Sequence, residues 1–112
     1  MTGNDFGLPQ KTLDYLRDAF SGCPKVEKVI LYGSRAKGNY RPGSDIDLTM
    51  QGDGLSHREL ADIAEKLEDS PLPYMVDLSI FAHIDNPNLI DHIQRVGKVF
   101  YQRQNPTGAA LL

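Results

Sequence analysis

Apolar positions recur along the chain with two alternating periods. Leu13, Leu16 and Phe20 follow at helical spacing after Pro9, whose missing N–H costs little in a first helical turn, so the pattern predicts a helix over Pro9–Phe20. Ser21, Gly22 and Pro24 stop it. Val26–Tyr32 becomes apolar towards its end and predicts a central strand. Gly33–Ser44 is rich in Gly, Ser, Asn, Pro and basic residues, which predicts a loop with a helical turn starting at Ser34. Asp45–Met50 alternates polar and apolar residues, the period of a strand. Ser56-x-x-Glu59 is a capping box and opens a helix with Leu60, Ile63, Ala64 and Leu67 on one face. Tyr74–Phe81 alternates again, with Val76, Leu78 and Ile80 on one side and Asp77 and Ser79 on the other. Asn86-Pro87 supplies an N-cap and a first-turn proline, Leu89, Ile90, Ile93 and Val96 a stripe expected to be buried, and Gly97 a stop. Lys98–Gln102 predicts a short edge strand. The order of elements implies an α+β fold, a small mixed β-sheet with helices packed on one side.

A chain of 112 residues and 12.5 kDa holds one domain, 1–112, with a folded core expected over about 9–102. The flanks 1–8 and 103–112 are expected to be mobile. The single cysteine, Cys23, excludes an internal disulfide and a cysteine-based zinc site. The longest uninterrupted apolar run, Val29–Tyr32, is far too short to span a bilayer, and the first residues carry no apolar signal region, so a cytoplasmic protein without membrane attachment is expected. Twelve Lys and Arg against fifteen Asp and Glu give a formal charge of −3, which disfavours direct nucleic-acid binding.

Against this acidic background one stretch stands out: Gly33-Ser34, ten residues, then Asp45-Ile46-Asp47. Side chains two apart on a strand share a face, so Asp45 and Asp47 project together with Cα atoms roughly 6–7 Å apart. Two carboxylates so placed repel each other unless a hard divalent cation relieves them, and Mg2+ accepts such sites, taking its remaining ligands from water and phosphate. Metal pairs in phosphoryl-transfer sites lie roughly 3.5–4 Å apart, a span that two aspartates can bridge. Asp77 joins as a third carboxylate if its strand lies beside theirs. A glycine directly after a strand lets backbone approach a ligand, and the N–H groups of such a turn, with the Ser34 hydroxyl, can hold phosphate oxygens. Arg35, Lys37 and Arg41 add three positive charges before the next acid. Arg35 is a candidate nucleotide contact with a structural ion pair as the alternative; Lys37 and Arg41 read as solvated or steering charges. Ser34 reads as an N-cap as well as a phosphate ligand.

This pattern, with Gly33-Ser-Arg-Ala-Lys-Gly38, Ser44-Asp-Ile-Asp-Leu48 and the later Val76-Asp-Leu-Ser-Ile80, Asn86-Pro87, His92-Ile93 and Arg95-Val-Gly97, resembles the minimal nucleotidyltransferases (MNT) of the polymerase-β-type superfamily. The resemblance covers about Val26–Tyr101. It implies the polymerase-β-like fold, two Mg2+ ions on Asp45, Asp47 and Asp77, and a triphosphate held by Gly33 and Ser34. It also implies transfer of AMP from ATP to a hydroxyl. The chain has no room for the second domain of larger relatives, so the resemblance implies a partner, an all-helical HEPN-type toxin, with a tyrosine of the toxin as acceptor and antitoxin action as the result. The rival readings are a transferase acting on a small hydroxyl compound such as an aminoglycoside, and an antitoxin that works by contact alone. Homo-oligomerisation is compatible with the sequence.

The remaining polar residues carry less. His57, His83 and His92 do not cluster by spacing and read as structural or surface residues. The acidic helix after Ser56 reads as a solvated face, and Tyr74, Phe81, Phe100 and Tyr101 as packing.

Overall fold

The computed structural model describes residues 5–103. Helix α1 (Gln10–Ser21) leads into strand β1 (Lys28–Tyr32), the single-turn helix α2 (Ser34–Lys37) and strand β2 (Ile46–Gln51). Helix α3 (His57–Glu68), strand β3 (Val76–Ile80), helix α4 (Pro87–Val96) and strand β4 (Lys98–Gln102) follow. The strands form one mixed sheet in the order β3-β2-β1-β4. β1 runs antiparallel to both β2 and β4, and β2 pairs in parallel with β3 through the α3 crossover. No helix among the described residues is long and apolar enough to cross a membrane.

The local causes are those the sequence predicts. Ser56 and Glu59 close a capping box at the start of α3. The Asn86 side chain accepts from the N–H groups of Asn88 and Leu89, with Pro87 behind it. α1 and α3 form the helical layer: Leu13, Leu16, Phe20, Ile63 and Leu67 pack against Val29, Leu31, Ile46, Leu48, Met50 and Ile80 in one core. α4 reaches the other face of the sheet, beside β1, where an added Cβ at Gly97 would press on Ile30. There the outcome departs from expectation. Of the stripe Leu89, Ile90, Ile93 and Val96, only Ile93 is buried, and the other three are half-buried.

Residues 1–4 and 104–112 of the flanks expected to be mobile lie outside the described residues. Phe6–Leu8 and Arg103 are anchored. Leu8 is fully buried, and the Phe6 ring packs on Phe100 at 6.1 Å. Arg103 donates to the carbonyls of Val26, Ser21 and Cys23. Two apolar side chains around Gly7 repay the ordering of this segment through burial, a gain invisible to local periodicity.

Candidate active site

The register of the sheet assembles the site. Tyr32 on β1 lies opposite Asp47 on β2, and Asp47 lies opposite Asp77 on β3. Three neighbouring strands therefore present these residues in one row, on the face turned away from α1 and α3. Adjacent strands are about 4.8 Å apart, so Asp47 and Asp77 are immediate neighbours. Asp45 stands just before β2, whose first N–H, at Ile46, donates to the Met75 carbonyl at 2.9 Å. Asp45 and Asp77 are exposed and Asp47 is half-buried between them.

The electrostatics follow from that placement. Burial pushes the Asp47 carboxyl above the usual carboxylate range, and the charges of Asp77 and Asp45 push in the same direction, while His92 pulls against them. The Tyr32 hydroxyl is raised chiefly by burial, against the effect of a hydrogen bond with Ser79, and further by Asp77 and Asp47. Ser79 Oγ in turn donates to Thr49 Oγ1 at 2.9 Å, so a line of hydroxyls backs the carboxylates.

Gly33 ends β1 at φ +77 and caps α2. A Cβ at this position would collide with Asp47 Oδ2. Glycine is thus required twice, for its left-handed backbone and for the contact itself. Ser34 is the first helical residue rather than the cap, and its hydroxyl is not consumed in capping. The Gly33 N–H donates to His92 Nε2 at 3.3 Å, and the His92 ring meets the Tyr32 ring edge-on at 6.1 Å.

The donors fit a hard cation. They are carboxylate oxygens only, they repel one another, and the Gly33 turn lies directly against Asp47. Among the described residues no three His, Cys, Asp or Glu side chains stand close enough together to hold a metal ion as a group. Mg2+ can take one or two carboxylates and fill its shell with water and phosphate. A cleft of about 100 Å3 between α3 and β3, lined by Leu67, Tyr74, Val76 and Leu78, opens on the opposite face and shares no residue with this row.

Arg35, a candidate nucleotide contact by sequence, is corrected by the structure. It is 2% exposed, and its guanidinium donates to the carbonyls of Ser44, Phe6, Gly7 and Pro42. It stacks on the rings of Tyr40 and Tyr74, each 5.2 Å away. All its donors are engaged, so none is left for phosphate, and among the described residues no acid pairs with it. It ties the N-terminal segment to the loop that delivers Asp45. Lys37 and Arg41 are exposed, as a steering role requires.

Sequence reasoning places His92 in the family-like segment but reads it as structural or surface, with no part in the site. A signal existed: His92 lies three residues after Leu89 and four before Val96, a lone polar group on an apolar helical stripe. His57 and His83, expected apart, meet with ring centroids 5.1 Å apart, because the ends of β2 and β3 converge.

Comparison with known proteins agrees with the geometry. The family model described as polymerase beta, nucleotidyltransferase matches residues 14–106. A chain from a crystal structure of a toxin–antitoxin with AMP-PNP is 27% identical, with a TM-score of 0.62 over 89% of this chain and 77% of that one. A chain from the complex of a tri-AMPylated Shewanella oneidensis HEPN toxin with its MNT antitoxin is 24% identical, with a TM-score of 0.55 over 91% and 74%. A putative nucleotidyltransferase from Sulfolobus solfataricus shares the fold at 21% identity, with a TM-score of 0.50 over 84% and 79%. No curated protein sequence matches.

Proposed function

The chain belongs to the polymerase β nucleotidyltransferase family, and from that premise we propose that it moves AMP from ATP onto a hydroxyl, a tyrosine of a HEPN-type toxin, and so acts as an antitoxin in the cytoplasm. The observation that carries the reading is the contact of Gly33 with Asp47 in the middle of the acidic row. A turn able to hold a triphosphate and a group of carboxylates able to hold cations meet at one point. The toxin–antitoxin neighbour with AMP-PNP supports both the donor and the partner.

In the transfer the acceptor oxygen attacks the α-phosphorus. The α–β phosphoanhydride bond breaks, pyrophosphate leaves with its electron pair, and the acceptor proton passes to a base. Gly33 and Ser34 hold the triphosphate through a backbone N–H and a hydroxyl. Asp45, Asp47 and Asp77 would hold two Mg2+ ions, which supply charge neutralisation on the triphosphate and a lowered pKa at the acceptor hydroxyl. Asp77, exposed at the edge of the row, is assigned the acceptor proton. The buried Tyr32 and the Ser79–Thr49 pair fix the floor beneath them. Catalysis is positioning and charge stabilisation, with no covalent enzyme intermediate.

Intact mass of the HEPN-type partner after incubation with this chain, Mg2+ and ATP tests the proposal. A gain of one or more AMP units, absent with the Asp45→Asn/Asp47→Asn double variant, is the expected result. A tight complex with no mass gain would instead establish an antitoxin acting by contact. ATP consumption with the partner unmodified and a small hydroxyl compound labelled would overturn the choice of acceptor.

A further inference from the structure

His92 is the side chain outside the acidic row that most directly engages the triphosphate turn, and the nucleotidyl-transfer reading leaves it without a task. Its Nε2 accepts the Gly33 N–H, so its Nδ1 carries the proton. The contact, at 3.3 Å, lies at the long end for a hydrogen bond. The Tyr32 ring, edge-on at 6.1 Å, and the anchoring of α4 through the buried Ile93 keep the imidazole at this spot. A phosphate oxygen that accepts from Gly33 N–H must occupy the place where Nε2 now sits. The ring then has to turn aside, and it remains next to the anion with an N–H to donate.

Building on that reading, we propose that His92 is a nucleotide-binding residue: it satisfies the Gly33 N–H while the site is empty, yields it to the incoming triphosphate, and then donates to a phosphate oxygen. The exchange runs towards the bound state because a hydrogen bond to an ionised acceptor is stronger than the neutral bond it replaces. His92 thus keeps a partly buried N–H from standing unpaired in the empty protein and adds a donor in the loaded one.

The test uses the full chain with Mg2+ and a non-hydrolysable ATP analogue. In the wild type the Gly33 amide and the His92 ring resonances should both shift on titration. His92→Phe keeps the ring against Tyr32 and removes both nitrogens; it should weaken analogue binding about tenfold, corresponding to about 1.4 kcal/mol. During turnover the loss should fall on KM for ATP rather than on kcat, and His92→Asn, which retains a donor and an acceptor, should recover part of it. Thermal melts of the variants verify folding. Binding by His92→Phe within twofold of the wild type, or an unmoved Gly33 amide on saturation, would overturn the role of His92 and leave the transfer reading standing. A wild type that binds no nucleotide would overturn both.

Discussion

The two faces of the β2 strand differ as sharply as any two regions of the molecule. Ile46, Leu48 and Met50 are fully buried against α1 and α3, while Asp47, between two of them, stands in a row of mutually repelling groups. Along a strand the side-chain period of two places these opposite environments on neighbouring residues. The core face stabilises the fold, and the acidic face draws on that stability to keep like charges together.

The comparison can be broken from either side. The largest effect is expected on the core face: Leu48→Ala should cost about 2–5 kcal/mol, read as a lower urea midpoint at unchanged slope. One residue away the sign should reverse. Asp47→Asn removes a half-buried charge beside Asp77 and Asp45, so the ligand-free protein in chelator should melt at a higher temperature, while AMP transfer falls at least about 100-fold. An Asp47→Asn variant that melts lower would mean that the carboxylates do not repel as placed.

Arg35→Lys comes next. A lysine keeps the charge but has three donors on one atom and cannot reach four carbonyls while stacking on two rings. A loss of about 1–3 kcal/mol in chemical denaturation is expected, together with weaker transfer, because the loop carrying Asp45 loses its anchor. The smallest effect lies far from both faces. Glu59 accepts from the Ser56 hydroxyl and N–H and pairs with Lys25 at 3.2 Å, which lowers its carboxyl from 4.5 to about 2. The folded state therefore favours the ionised form. That contribution is fully present above pH 4.5 and disappears as pH falls towards 2. Glu59→Gln should melt slightly below the wild type at neutral pH, and the gap should close across that window.

What the sequence made legible follows the range of the interactions. Ser56 and Glu59, Asn86 and Pro87, and the alternation around Asp47 and Asp77 act within a few residues, so their elements and the acidic row could be read directly. The adjacency of β2 and β3 placed Asp77 beside Asp47, as the pattern allowed. Arg35 was misjudged because its partners, Phe6, Gly7, Pro42 and Ser44, come from two segments that no spacing connects. Leu8, at the end of a stretch expected to be loose, shows the same limit: its burial depends on a core assembled from remote strands. His92 reads in the sequence as structural or surface because its meaning lies in the turn it faces. The half-covered stripe of α4 was misjudged because amphipathicity predicts a face to bury without saying how much of it the rest of the chain covers.

The buried guanidinium has a consequence for how the protein can be damaged. Phe6 stands at φ +58, a backbone shape that a non-glycine residue rarely keeps, and its carbonyl and that of Gly7 are held by Arg35. A protease cut just after Leu8 would take both carbonyls away at once. The arginine would then keep only Pro42 and Ser44, with water entering beside Tyr40. A nick in the first ten residues would thus loosen the loop that delivers Asp45, more than thirty residues downstream.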